Sequence, residues 1–255
     1  MIITDEKPWE EIKKALDDWN VKKVVLVSCG ICASKVGTGG TEGAEKMKTK
    51  LTEEGYEVIG TTVIDEPCDE RMSLKGLRKL KDEVAEADAI FSLACGLGTQ
   101  ALNIVSRKRF DAKPALTALD TVFMGETERY GKFYEKCRAC GECLLNETGG
   151  ICPITTCAKS LMNGPCGGSV EGKCEVGNYQ LDCGWIMIYE ALKEMDRLDL
   201  FLKIRKPRNW NTGPGRQRQL LVSREGIEPG VPVSTEVGGD SDERGQSVFK
   251  LNATD

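Results

Sequence analysis

The cysteines are the feature that most constrains this chain. Eight of its twelve cysteines fall between Cys137 and Cys183. The first three are spaced C-x2-C-x2-C, which allows one short loop to present three thiolates to neighbouring corners of an iron–sulfur cube. The stretch has few apolar side chains for a core, so bound metal must supply much of its folding free energy. The eight cysteines are Cys137, Cys140, Cys143, Cys152, Cys157, Cys166, Cys174 and Cys183.

Eight thiolates divide naturally into two sets of four. The C-x2-C-x2-C run needs a fourth ligand, which in such sites is often followed by proline. Cys152 precedes Pro153 and fits this role, and Cys157 is its rival. The sequence therefore predicts a [4Fe–4S] cluster on the first set. The unused one of these two residues, with Cys166, Cys174 and Cys183, would hold a second cluster or a zinc ion.

Composition narrows the chemistry further. The chain has no histidine, so a metal site must use sulfur alone or sulfur with oxygen. Soft thiolates favour iron–sulfur clusters or zinc over magnesium, calcium or manganese. The lack of histidine also excludes a Ser–His or Cys–His nucleophile. A formal net charge of −5 argues against a general nucleic-acid binder.

The ends and apolar runs of the chain indicate its compartment. No apolar run approaches the length of a membrane span. The first residues are acidic and polar, without the apolar core of a signal peptide. We therefore expect a cytoplasmic protein whose cysteines serve metal or redox chemistry, and a disulfide-stapled loop domain is the disfavoured alternative.

Residues 1–125 alternate between apolar β-branched runs and amphipathic stretches. This pattern predicts a parallel sheet with helical crossovers, in a flavodoxin-like or Rossmann-like α/β domain. The predicted strands are 22–28, 56–64, 88–94 and 114–119. The predicted helices are 9–19, 40–54, 73–86 (capped by Ser73) and 99–107.

The four remaining cysteines follow these predicted strands. Cys29 and Cys32 come after the first strand, Cys68 after the second and Cys95 after the third. The carboxyl ends of parallel strands share one edge of the sheet, where ligands bind in such folds. The sequence therefore predicts a metal centre at this edge, a cluster rather than zinc. The alternative is that these cysteines are inert core residues.

One glycine motif needs an explanation. Residues 96–101 match G-x-G-x-x-A, a pattern found in dinucleotide-binding turns. It follows the third strand rather than the first, and Cys95 directly precedes it. We favour a tight turn around a metal ligand as the explanation.

Beyond the cysteine-rich region the sequence predicts three segments. A helix over 184–203 carries an apolar stripe that could pack on the chain's own core or on a partner. Residues 204–218 are basic and rich in turn-forming residues. This segment and the helix are candidate contacts with a partner, with Trp210 and Trp185 as their aromatic anchors. Residues 223–255 are rich in Gly, Ser, Glu and Asp, which predicts a disordered tail. The second domain is thus predicted over 126–222.

Several motifs in this region together resemble one family, the methylenetetrahydrofolate reductase C-terminal-like domain. They are Cys137-x2-Cys140-Gly-x-Cys143-Leu, Thr148-Gly-Gly-Ile-Cys152-Pro, Cys157-Ala-Lys159, Asn163-Gly-Pro-Cys166-Gly-Gly, Gly172-Lys-Cys174-Glu-Val and Cys183-Gly-Trp185-Ile-x-Ile-Tyr189-Glu-Ala-Leu. To about residue 220 the chain is similar to the stand-alone, MetV-type small subunit. The start Cys29-Gly-x-Cys32 also fits this type.

The resemblance implies an electron-transfer subunit with iron–sulfur clusters at two or three sites, and with zinc as an alternative at one of them. It implies a partner, a flavin-bearing subunit that reduces methylenetetrahydrofolate to methyltetrahydrofolate, and leaves room for a further donor subunit. The flavin is expected on that partner, and this chain is expected to be non-catalytic. The alternatives are a structural zinc scaffold of the same complex, or an enzyme that uses the Cys29/Cys32/Cys68/Cys95 centre directly.

Overall fold

The computed structural model of the protein describes residues 1–207, 221–223 and 226–228. The chain divides into two compact units, Met1–Cys137 and Arg138–Asp255, called the first and second units below. Each unit is built differently, and each is described by itself.

The first unit contains seven strands and six helices. The strands are β1 (Ile2–Glu6), β2 (Lys23–Cys29), β3 (Glu57–Ile64), β4 (Ala89–Leu93), β5 (Ala115–Thr117), β6 (Leu119–Arg129) and β7 (Lys132–Cys137). The helices are α1 (Trp9–Asp18), α2 (Cys32–Val36), α3 (Gly40–Glu53), α4 (Glu70–Arg78), α5 (Lys81–Glu86) and α6 (Gly96–Arg109).

A four-stranded sheet forms the centre of the first unit, in the order β3-β2-β4-β5. All of its pairings are parallel. Strand β2 is buried on both faces, which explains its continuous run of apolar β-branched residues. Val24 and Leu26 join a core with helices α1 and α3, and Val25 and Val27 join a second core with α4, α5 and α6. The predicted mixed α/β architecture with a parallel sheet is confirmed.

The predicted helix over 73–86 is two helices, α4 and α5, separated at Lys79 and Leu80. Ser73 is not its cap. The cap is Asp69, whose side chain accepts a hydrogen bond from the Arg71 N–H at 2.8 Å. Ser73 lies inside α4, where its buried hydroxyl donates to the Pro67 carbonyl. The helix therefore begins one turn earlier than predicted, because the Asp69 carboxylate accepts a hydrogen bond from an N–H of its first turn.

The first unit has a second sheet that the sequence pattern does not predict, in the order β1-β6-β7. Strand β5 ends at Thr117, and the chain continues into β6, which pairs antiparallel with β1 and β7. These strands contain many charged residues and are largely exposed, so their hydrophobic periodicity is weak. The first unit consequently extends to Cys137, beyond the 125 residues expected.

The second unit has short elements and a small core. Its elements are a 3₁₀ turn (Leu145–Glu147), α7 (Pro153–Thr156), β8 (Ser169–Val170), β9 (Lys173–Cys174), α8 (Gly184–Glu194), α9 (Leu198–Phe201), β10 (Leu221–Ser223) and β11 (Gly226–Glu228). Trp185, Ile188 and Leu192 on α8 are buried together with Cys183. Turns account for most of the remaining chain.

The helix predicted over 184–203 ends earlier, at Glu194. Asp196 has a φ of 54°, a left-handed conformation that breaks the helix before α9 begins at Leu198. The predicted tail 223–255 lies outside the described residues except at Ser223 and 226–228. Within the described part of the chain, no helix has the length and apolar character needed to cross a membrane.

Candidate metal centres

Four cysteines of the first unit lie just past strand ends at one edge of the parallel sheet. Cys29 ends β2, and Cys32 is the first residue of α2. Cys68 lies in the loop that leaves β3, and Cys95 caps the N-terminus of α6. Cys29 and Cys95 are buried, Cys32 is half-buried and Cys68 is exposed.

Backbone contacts bring the loops that carry these cysteines together. The Cys29 thiol lies 3.7 Å from the carbonyl oxygen of Asp65, and the Gly30 N–H donates to the Ile64 carbonyl at 2.8 Å. A Cβ added at Gly98 would lie 2.8 Å from the Cβ of Ala94 and 3.1 Å from the Cγ of Pro67. The loop before Cys68 therefore packs against the first turn of α6, and only glycine fits at this point of contact.

This packing accounts for the G-x-G-x-x-A motif. Gly98 allows the helix to approach the neighbouring loop, and the Gly96 N–H at the start of α6 donates to the Thr121 hydroxyl at 2.8 Å. Both glycines serve a tight turn beside Cys95, and the role of Cys95 as a metal ligand stays a prediction.

Burial and neighbouring thiols together affect the Cys68 thiol. Burial raises the pKa of the Cys68 thiol, and the thiolates of Cys95, Cys29 and Cys32 raise it further. Cys68 is exposed at its surface, yet the surrounding protein atoms still remove enough water to disfavour its charged form.

The C-x2-C-x2-C run has an unusual backbone. Ala139 and Gly141, on either side of Cys140, have φ values of 49° and 88°. Left-handed residues at both flanks coil the chain tightly around Cys140. Cys137 ends strand β7 as the last residue of the first unit. The Cys140 sulfur lies 3.8 Å from the Glu142 carbonyl oxygen. The Cys143 side chain is exposed.

Three cysteines of the second unit surround its small core. Cys183 is buried beside Trp185, and Cys157 and Cys174 pack against the same cluster. A Cβ added at Gly184 would lie 2.9 Å from the Cys157 nitrogen, so the end of α7 meets the start of α8 directly. Cys152 occupies the opposite end of α7, as its N-terminal cap.

Cys166 has polar neighbours on several sides. The Lys159 ammonium lies 3.5 Å from its sulfur, and the Gly168 N–H donates to the same sulfur at 3.4 Å. The Glu175 carboxylate lies 3.8 Å from the sulfur and forms an ion pair with Lys159. The hydrogen bond from Lys159 lowers the pKa of Glu175. The pKa of Lys159 is raised, mainly by its hydrogen bond to Glu175 and next by its hydrogen bond to Cys166.

An arginine fixes the chain that follows α9. The Arg205 side chain is only 7% exposed and donates to the Glu147 carboxylate at 2.7 Å. It also donates to the carbonyls of Met162 and Glu147, and its backbone N–H donates to Asn163. A cavity of about 410 Å³ lies between this segment and Cys143.

The donors fit metal by their chemistry. All twelve cysteines lie within residues 1–207, none is in a disulfide bond, and sulfur is the ligand that iron–sulfur clusters and zinc prefer. Among the described residues, no group of three or more Cys, Asp or Glu side chains is arranged as a formed metal cage. All three metal centres therefore stay predictions.

Sequence reasoning missed Lys159, Glu175 and Arg205. Lys159 lies two residues after a cysteine and Glu175 one residue after another, but spacing alone gave them no role. Arg205 lies in a segment interpreted only as basic and rich in turns. Trp185, considered as an interface anchor, is instead 1% exposed in the core of the second unit, with its indole N–H donating to Leu161.

Comparison with known proteins identifies part of the chain. Residues 116–211 match the model of a family described as methylene-tetrahydrofolate reductase C terminal. The resemblance drawn from the cysteine motifs is thereby confirmed over this segment. No curated protein matches the chain.

Proposed function

Because residues 116–211 match the model of a family described as methylene-tetrahydrofolate reductase C terminal, we propose that this chain is the electron-transfer subunit of a methylenetetrahydrofolate reductase complex. It would work in the cytoplasm beside a flavin-bearing subunit, with iron–sulfur clusters on its cysteines. Bound clusters would supply one-electron transfer between a donor and the flavin. The observation that carries this proposal is the family match together with eight cysteines inside the matched segment.

The arrangement of the second unit favours one division of its thiols. Cys157, Cys174 and Cys183 share a single apolar cluster, and Cys152 caps the far end of α7. We therefore assign Cys157 to the second set with Cys166, Cys174 and Cys183. Cys152 then completes the set of Cys137, Cys140 and Cys143.

Local structure supports negative sulfur at several of these positions. Cys95 and Cys183 cap the N-termini of α6 and α8, where the helix dipole favours a negative group. Backbone N–H groups such as that of Gly168 reach sulfur directly. Hydrogen bonds of this kind stabilise the reduced form of a cluster.

The first unit would hold a further centre on Cys29, Cys32, Cys68 and Cys95. Its support is the packing of three loops at one sheet edge and the electrostatic influence of three thiols on Cys68. The crystallographic distances between metal and sulfur would test it, because thiolate bonds to a shared metal are about 2.3 Å long. Sulfurs left as free thiols in a metal-replete crystal would contradict this assignment.

Contact with the flavin subunit is expected near the end of the second unit. Leu202 and Ile204 are strongly exposed beside the segment that Arg205 fixes. Trp185 is withdrawn as an anchor because it is buried, and the other aromatic candidate, Trp210, lies outside the described residues. Exposed apolar side chains next to cationic ones are a common composition for an interface.

The experiment mixes the anaerobically purified chain with a methylenetetrahydrofolate reductase flavin subunit. We expect a stable complex in which reduced clusters of this chain reduce the flavin. Removal of residues 204–222 should weaken the complex and leave the iron content intact. Folate reduction by this chain alone would contradict the relay role, and a colourless zinc protein that still forms the complex would favour the structural scaffold.

A further inference from the structure

The surroundings of Cys166 assign a role to a lysine in the second unit. We propose that Lys159 is a positioning residue for the metal centre of Cys157, Cys166, Cys174 and Cys183, and that its ammonium raises the reduction potential of the cluster bound there. The inference rests on the proposed function, and it concerns a side chain that binds no metal itself.

The geometry around the sulfur carries this inference. Lys159 Nζ lies 3.5 Å from Cys166 Sγ, and the Gly168 N–H approaches the same atom at 3.4 Å. Two donors therefore point at one sulfur, an arrangement that stabilises extra negative charge on it. A cluster gains a full negative charge on reduction, so these donors favour the reduced state.

Glu175 holds the lysine in place. Its carboxylate forms an ion pair with Lys159 and lies 3.8 Å from Cys166 Sγ. The Glu175 N–H also donates to the Gly168 carbonyl at 3.0 Å, which connects this carboxylate to the turn that supplies the second donor. The carboxylate offsets part of the positive charge, while the lysine is the group that hydrogen-bonds to sulfur.

The same unit offers a matched control in Lys173. Lys159 and Lys173 are 42% and 44% exposed at their side chains, and each is paired with a carboxylate. Lys173 and Cys174 are neighbours on strand β9, so their side chains point to opposite faces. Removing either lysine changes the net charge equally, but it is Lys159 whose ammonium lies 3.5 Å from Cys166 Sγ, whereas that of Lys173 donates to Asp182.

The test is a redox titration of the cluster by EPR in anaerobically purified protein. Lys159→Met should lower the reduction potential of the cluster. At a fixed solution potential, the ratio of reduced to oxidised cluster should fall by at least about tenfold, which corresponds to about 59 mV for one electron. Lys159→Arg keeps the positive charge and should hold the reduction potential close to the wild-type value. Lys173→Met should move the potential much less.

The outcomes separate this inference from the proposed function. A cluster whose potential moves equally in Lys159→Met and Lys173→Met overturns the role of Lys159 and leaves the relay intact. A wild-type chain without iron overturns both. If Lys159→Met fails to fold, Lys159→Gln keeps an N–H donor without the charge, and an unchanged potential in that folded variant contradicts a role for the ammonium charge.

Discussion

The two units of this chain hold their cysteines in opposite ways. The first unit surrounds a parallel sheet with two buried clusters, and four of its five cysteines lie at the edge of that sheet. The second unit has four residues in its buried cluster, one of them Cys183, and its cysteines are spread through turns. The proposed metal centres would therefore lie at the edge of an existing core in the first unit, whereas in the second unit they would help to form the fold.

Helix N-termini in the described part of the chain are alike in the two units, because most of them lack a side-chain cap. Helix α4 of the first unit begins with Asp69, whose side chain satisfies a helix N–H. Helices α7 and α8 of the second unit begin at Cys152 and Cys183, without a side-chain cap. Both units therefore begin helices at cysteines that we assign to metal, since α6 of the first unit begins at Cys95 in the same way.

The largest expected effect comes from metal removal. Bound metal contributes on the order of 10 kcal/mol to small domains that fold around it. Stripping the metal from the whole protein should abolish the hydrogen-exchange protection of α8 in the second unit. The amides of β2 in the first unit should stay protected, because their core is built mainly from apolar side chains and its assigned ligands are confined to Cys29 and Cys32. Equal loss in both units would contradict the comparison.

Truncation of the second unit's main apolar side chain should have the next largest effect. Trp185 is 1% exposed and packs edge-on against Phe201 with ring centroids 5.8 Å apart. Trp185→Ala should destabilise the metal-loaded unit by about 3–5 kcal/mol, because it leaves a large cavity and an unpaired Leu161 carbonyl. A urea titration in which metal release reports the unfolding of this unit measures the change.

The control for that substitution is Trp19→Ala in the first unit. Trp19 is 60% exposed, so its removal should change stability by no more than about 0.5 kcal/mol. Metal release at the same urea concentration in both variants would mean that the small core contributes little to the second unit.

A smaller effect is expected where the chain leaves α9. Arg205→Met removes the hydrogen bonds to the Glu147 carboxylate and to two carbonyls, and should cost about 1.5–3 kcal/mol. Limited proteolysis should then cut near residue 205 faster. Lys206→Met is the matched control, since Lys206 is exposed. Equal cleavage rates in the two variants would rule out Arg205 as the anchor.

The smallest expected effect concerns the cap of α4. The hydrogen bonds from Arg71 lower the pKa of Asp69 to about 2. A lowered folded pKa stabilises the protein above the unfolded value of 3.8, and this contribution is lost as the pH falls through about 2. The difference in urea midpoint between wild type and Asp69→Asn should therefore be smaller at pH 3 than at pH 6. A difference independent of pH would contradict the lowered pKa.

The sequence predicted the parts of the first unit whose patterns are local. Strand β2 is buried on both faces, so its apolar run was visible, and Cys29 and Cys95 follow strand ends directly. Strands β6 and β7 were missed because their exposed, charged residues carry little hydrophobic periodicity. The boundary at Cys137 depends on their pairing, which is a tertiary property.

In the second unit the sequence predicted cysteine spacing but not the side chains that serve it. The contact of Lys159 with Cys166 depends on turns that bring residues 159, 166 and 175 together. Arg205 reaches Glu147 across a long separation in sequence. Such contacts leave no periodic pattern, so a single sequence could not predict them.

The most direct test of the account is iron and sulfide analysis of the anaerobically purified chain, wild type against Cys140→Ala. We expect brown wild-type protein that gives an EPR signal when its clusters are reduced. Cys140→Ala should lose about four irons per chain. Wild-type protein that holds zinc and no iron, or an iron content unchanged by the substitution, would contradict the claim that the cysteine-rich unit folds around iron–sulfur clusters.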